Sequence, residues 1–124
     1  MSEIKSSKQN QKQYDLEERT LIFSKKIIKL AKELPKNQIN FRLVDQLIRS
    51  GTSLGANYRE ANETETKKDF NFRIRICRKE GKETFYWLKL LADVNPSFQN
   101  EINYLANEVL ELVKIFAAIL MKSK

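Results

Sequence analysis

Apolar residues recur along this chain in alternating steps of three and four, in four separate stretches. Leu16, Thr20, Phe23, Ile27, Leu30 and Leu34 make the first, and Pro35 stops it, so the spacing predicts a helix over about residues 14–34. Val44, Leu47, Gly51, Leu54, Tyr58 and Ala61 repeat the steps after a short loop at residues 36–39, which predicts a second helix over about 41–62 with Asn40 as its N-cap. Phe70, Ile74, Cys77, Gly81, Thr84, Leu88 and Leu91 predict a long third helix over about 67–94, opened by Thr66 with Asp69 three residues on in a capping arrangement. Asn95-Pro96-Ser97 breaks the pattern, and Phe98, Ile102, Leu105, Val109, Leu112, Phe116 and Ile119 predict a fourth helix over about 98–122. Four helices of this length joined by short connections define the expected fold: all-α, an antiparallel up-down-up-down four-helix bundle over residues 14–122. Residues 1–13, MSEIKSSKQNQKQ, are polar and without periodicity, and are expected to form a disordered tail.

The second stretch contains the least ordinary segment, Gln46 to Ala61, which places two glycines inside a helical pattern. Each costs roughly 1 kcal/mol against alanine in a helix interior, so Gly51 and Gly55 are expected to allow a close helix contact, a kink or an oligomer contact. Arg49, Ser53, Asn57 and Glu60 follow at steps of four, four and three, a polar stripe beside the apolar one. Two readings stand for that stripe: a site lining a subunit interface or pore, or a hydrogen-bonded network that fixes helix packing.

This segment, with KKDF at residues 67–70 and KETFYWLKLL at residues 82–91, resembles the four-helix-bundle family named for proteins encoded in intervening sequences of bacterial 23S ribosomal RNA, over about residues 14–121. That family in turn is similar to the accessory variability determinant of diversity-generating retroelements. The resemblance implies a basic helical bundle, a homo-oligomer that is a pentamer, RNA or DNA as partner, a reverse transcriptase or other protein as a further partner, and no defined activity.

Composition adds exclusions. A chain of 124 residues with three glycines and two prolines is one helical domain with one core. There is no histidine, so the commonest metal ligand and the side chain best suited to proton transfer near neutral pH are both missing. The single cysteine, Cys77, makes neither an internal disulfide nor a zinc site, and neither GxxxxGK nor GxGxxG occurs. Gly51-Thr52-Ser53-Leu54-Gly55 matches the G-x-S-x-G string, but that motif needs a strand before it and a histidine to take the serine proton. No enzyme activity, cofactor or metal is expected. The most apolar run, Ile115 to Met121, falls well short of the roughly 20 residues that span a bilayer, and no signal-like apolar region follows the N-terminus. No membrane partner and a cytoplasmic location are expected.

Charge gives the remaining clue. The net charge is +7, and residues 67–89 hold eight cations against three carboxylates, a local +5. Lys67, Lys68, Arg75, Arg78, Lys79 and Lys82 are the candidate nucleic-acid-binding residues, and Arg75 to Lys82 share a helix face that an oligomer would multiply. The competing reading is a protein-protein adaptor whose charge serves partner docking. Lys25, Lys26, Lys29 and Lys32 form a second basic stripe, offset by Glu17, Glu18 and Glu33. Phe72, Ile76, Trp87, Leu90 and Val94 exceed what one helical seam requires, and belong either to a broad contact with both neighbouring helices or to an oligomer interface. Tyr58, Phe85, Tyr86 and Trp87 are expected in the core, with base stacking as the other reading.

Overall fold

The computed structural model describes the backbone of residues 2–122 and the side chains of residues 16–122. Four helices account for nearly all of it: α1 (Ser2–Glu33), α2 (Gln38–Asn62), α3 (Lys67–Val94) and α4 (Gln99–Lys122), with a short 3-10 turn at Pro96–Phe98 before α4. The helices pack in sequence, α2 and α4 each lying along α3, while α1 leans chiefly on α2 and touches α4 lightly. Contacts run antiparallel: Ile27 meets Gly51 and Thr20 meets Gly55, and Thr84 pairs with Ser50 while Arg73 pairs with Asn57. This is the four-helix bundle predicted from the apolar spacing.

The core is the set of stripes read from the sequence. Phe23, Ile27, Leu54, Ile74, Val109 and Phe116 are among the side chains sealed in it, contributed by all four helices. A fully buried aliphatic or aromatic side chain stabilises by about 1.5–3 kcal/mol relative to exposure, so these stripes dominate the fold's energetics. Thr20 occupies a core position without leaving its hydroxyl unpaired, because Oγ1 donates back to the Leu16 carbonyl at 2.9 Å. Thr84 Oγ1 lies 2.9 Å from Ser50 Oγ and 2.8 Å from the Glu80 carbonyl, so this buried pair is also satisfied.

Two differences from the sequence expectations concern helix starts. The α1 backbone is helical from Ser2, through the segment expected as a tail over residues 1–13; its Ser, Lys, Gln and Glu residues, uninterrupted by Gly or Pro, are compatible with helix. Met1 and the side chains of the rest of that segment lie outside the described residues. At α2 the N-cap is Asn37 rather than Asn40: the Asn37 side chain accepts from the Asn40 backbone N–H at 2.9 Å, and the helix begins three residues earlier than expected. At α3 the expected cap is found, with Thr66 Oγ1 accepting from the Asp69 N–H at 3.1 Å.

Freed from capping, the Asn40 side chain is buried and faces Asn95 in a reciprocal amide pair, with Nδ2 to Oδ1 distances of 2.8 and 2.9 Å. Asn40 Nδ2 also donates to the Pro35 carbonyl at 2.9 Å, and Asn95 Nδ2 to the Leu91 carbonyl at 3.0 Å. The pair therefore ties the α1–α2 loop and the start of α2 to the end of α3. Replacing one partner leaves a buried amide without its mate, so Asn40→Leu or Asn95→Leu alone should cost about 2–3 kcal/mol. The double variant should cost clearly less than the sum, because it removes both polar groups. Chemical denaturation of the four proteins of this cycle checks it; simple additivity would show that the two amides act independently.

Candidate nucleic-acid interface

Helix α3 positions the basic residues because its own core stripe, Ile74, Cys77, Gly81, Thr84 and Leu88, fixes its rotation in the bundle. Lys67, Lys68, Arg75, Lys79 and Lys82 are exposed and Arg78 is half-buried, and none of the six forms an ion pair among the described residues. Lys68, Arg75, Lys82 and Lys89 recur every seven residues, which keeps them on one side of the helix over a length of roughly 31 Å at 1.5 Å per residue. Lys89 Nζ lies 5.9 Å from the centre of the Phe85 ring, a cation-π contact at the rim of the row.

Of the carboxylates of α3, Asp93 lies at the C-terminal end of that row, four residues after Lys89, while Glu80 stands apart from it. Glu80 faces α2, where burial, a hydrogen bond shared with Glu83 and the Glu83 charge push its carboxyl above the usual range, against the opposing pull of Lys79 and of Arg49 on α2. Arg73 also turns toward α2, its Nη1 donating to Asn57 Oδ1 at 3.1 Å. The face of α3 toward α2 is thus paired and nearly neutral, and its solvent face carries more cations than carboxylates, Glu83 and Asp93 being exposed there.

The polar stripe of α2 divides among several partners. Asn57 Nδ2 donates to the Ser53 carbonyl at 3.0 Å and meets Ser53 Oγ at 3.1 Å, and with Arg73 these form one network. Arg49 is exposed and sits within electrostatic range of Glu80. Glu60 is exposed and makes no side-chain hydrogen bond or ion pair among the described residues, so it stands outside the packing network that was one of its two readings; Arg73 is the partner of Asn57. Gly51 and Gly55 are buried against α1, where an added Cβ would lie 3.2 Å from Ile27 Cγ1 and 3.1 Å from Thr20 Oγ1. Both are therefore contacts between helices of one chain. Ser53 lies in mid-helix, its Oγ accepting from Asn57 Nδ2 at 3.1 Å, and has no strand before it as the G-x-S-x-G turn would need.

Several contacts were not legible in the sequence. Arg19 on α1 grips Glu108 on α4 with two hydrogen bonds, Nε to Oε2 at 2.8 Å and Nη2 to Oε1 at 2.9 Å, and reaches Glu111 at 3.0 Å; these bonds hold the Arg19 guanidinium firmly protonated. Lys26 reaches Tyr104, Nζ to hydroxyl 3.2 Å, so two polar bridges span the loosely packed α1–α4 seam. Burial pushes the Cys77 thiol up to about 12, leaving it inert as a nucleophile or ligand near neutral pH. No group of three or more His, Cys, Asp or Glu converges on a metal-sized site among the described residues, and no helix among them is long and apolar enough to cross a membrane.

The surplus apolar residues of α3 also separate. Trp87 packs against the core, Ile76 and Leu90 are half-buried, and Phe72 and Val94 are exposed. Of the aromatic residues expected inside, Tyr58 is buried and Phe85 and Trp87 are half-buried, but Tyr86 is 58% exposed. Its side chain stands on the solvent face among the cations.

The class defined by this architecture is a small four-helix bundle with a strongly basic α3 and no catalytic constellation among its described residues. Residues 12–118 match the 23S rRNA-intervening sequence protein family, and the chain belongs to that family. It is also similar to a crystal structure from Bacteroides thetaiotaomicron described as a protein of unknown function from the S23 ribosomal protein family. The two share 34% identity with a TM-score of 0.78, over 85% of this chain and 97% of that one. No curated protein matches the chain.

Proposed function

We propose that this chain is a non-enzymatic, cytoplasmic homo-oligomer that binds structured RNA or DNA through the solvent face of α3, as an accessory to a nucleic-acid enzyme such as a reverse transcriptase. The observation that carries this reading is the row Lys68, Arg75, Lys82 and Lys89, four cations at seven-residue spacing, with the half-buried carboxylate Glu80 facing α2 instead. Cations left unpaired on one face bind polyanions by displacing condensed counterions, and need no base-specific contact to do so. Membership in a family named for intervening sequences of 23S rRNA supports an RNA-linked role. The wild-type protein should retain structured RNA or duplex DNA at about 50 mM salt and release it as salt rises. No salt-dependent retention of either would sink the reading.

Assembly is the second part of the proposal, as a closed ring of five. Exposed apolar side chains occur on more than one face, among them Leu21, Ile28 and Phe41 on α1 and α2 and Val94 on α3 beside the half-buried Ile76 and Leu90. Two different faces on one subunit are what a head-to-tail ring requires, each subunit offering one face to its neighbour's other. Light scattering at micromolar concentration should give a multiple of the 14.6 kDa chain mass, five chains being expected; a monomer mass would overturn the assembly.

The adaptor reading draws on Phe41, 79% exposed beside an open groove lined by Pro35, Lys36, Asn37 and Gln38 at the α1–α2 turn. A side chain of that size and exposure suits a protein partner. It becomes the better account if polyanion binding is absent.

A further inference from the structure

The solvent face of α3 is not uniformly basic. Lys68, Phe72, Arg75, Lys79, Lys82 and Tyr86 follow one another at steps of four, three, four, three and four, so the six share a single stripe. All six are exposed, and the core stripe of the same helix, Ile74, Cys77, Gly81, Thr84 and Leu88, lies on its opposite side. Two aromatic rings therefore stand within a row of four unpaired cations, Phe72 at 57% and Tyr86 at 58% exposure.

We propose that this stripe takes unpaired nucleotides, with Phe72 and Tyr86 stacking on bases while Lys68, Arg75, Lys79 and Lys82 hold the flanking phosphates. The inference rests on the nucleic-acid reading above and specifies which form of nucleic acid α3 selects. Phosphates alone give an aromatic ring nothing to bind, and a duplex hides the faces of its bases in the stack. An unpaired base has a π-face free, and an exposed ring among cations matches it without demanding a sequence. Tyr86 is held for such a contact: its ring meets Trp87 at 5.1 Å between centres and 72° between planes, an edge-on brace that leaves at least one face of the Tyr86 ring open. Its hydroxyl makes no hydrogen bond among the described residues, so no polar tether draws the ring down onto the bundle. Phe72 and Tyr86 are fourteen residues apart, roughly 21 Å along the helix, which places them at bases several nucleotides apart on one strand.

The test compares a fluorescently labelled single-stranded RNA with the same strand annealed to its complement, by anisotropy across a salt series. The proteins are the wild-type oligomer, Phe72→Ala, Tyr86→Ala, the double alanine variant and Tyr86→Phe. Each alanine should weaken single-strand binding about five-fold or more while leaving duplex binding and the salt slope unchanged, since stacking is lost and no phosphate contact is. Tyr86→Phe should keep wild-type affinity, because the ring and not the hydroxyl is used. Both positions are exposed, and circular dichroism and light scattering report whether fold and assembly persist. Unchanged single-strand affinity in the double variant overturns the inference, as does an equal fall for single strand and duplex; either result leaves a face that reads phosphates only. A wild-type protein that binds neither form overturns the nucleic-acid reading itself, and the stacking stripe with it.

Discussion

Leucine at Gly81 should lower the thermal midpoint further than leucine at Gly51 or Gly55. Gly81 sits where α3 crosses α4, and a Cβ built there would lie 2.6 Å from Val113 Cγ2, with Leu54 Cδ2 at 3.5 Å on the other side. Val113 is β-branched and in mid-helix, where one side-chain rotamer is strongly preferred, so it cannot swing aside cheaply. The helices must move apart instead. At Gly51 and Gly55 the nearest atoms are at 3.2 and 3.1 Å, which a few tenths of an ångström of adjustment would relieve. Alanine separates the cases more sharply than leucine does. Glycine to alanine gains about 1 kcal/mol of helix propensity, so alanine at Gly51 should be close to neutral. At Gly81 overpacking of about 1–3 kcal/mol should outweigh that gain and leave the variant destabilised, with leucine at the upper end or beyond. Thermal melts followed by circular dichroism check the order; a Gly81→Ala protein that melted above wild type would show that α3 and α4 are not locked at this point.

What the sequence made legible, and what it did not, follows from the range of each interaction. The four apolar stripes were readable because helical periodicity is a local property, and positions such as Phe23, Leu54, Ile74 and Val109 reach the core through it. The Thr66 cap was readable for the same reason. Asn37 and Asn40 satisfy the local capping rule equally well; the choice between them is made by Asn95, 55 residues away in sequence, which claims the Asn40 side chain. The clasp of Arg19 with Glu108 and the fit of Gly81 against Val113 likewise join distant segments and leave no local trace. A packing network was one of two readings for Glu60, yet Arg73 from the neighbouring helix supplies the partner of Asn57. Tyr86 is a different case. In the run Phe85-Tyr86-Trp87 all three aromatics were expected inside, but the stripe through Thr84, Leu88 and Leu91 already fixes the helix rotation and puts the middle ring outside. The signal was present in the spacing.

Two charge-neutralised variants of equal net charge separate the effect of total charge from that of its placement. Arg75, Lys79 and Lys82 changed together to glutamine remove three exposed, unpaired cations from α3. Lys25, Lys29 and Lys32 changed to glutamine remove three exposed cations from α1, where Glu17, Glu18 and Glu33 offset the stripe. If net charge alone attracts polyanions, both variants should weaken binding alike. If the face of α3 is the interface, its variant should lose affinity for structured RNA on the order of 100-fold at about 50 mM salt, while the α1 variant stays within a few-fold of wild type. The salt dependence distinguishes contact from general attraction. Each phosphate contact contributes about 0.9 to the slope of log affinity against log salt on a duplex and about 0.7 on a single strand, so three lost contacts should flatten it by roughly 2–3 per bound subunit. The α1 variant should keep the wild-type slope. Neither set touches a core position, and helicity and oligomer mass should be unchanged in both. Equal losses in the two variants would remove the special place of α3 and return its cations to the role of solvated surface charge.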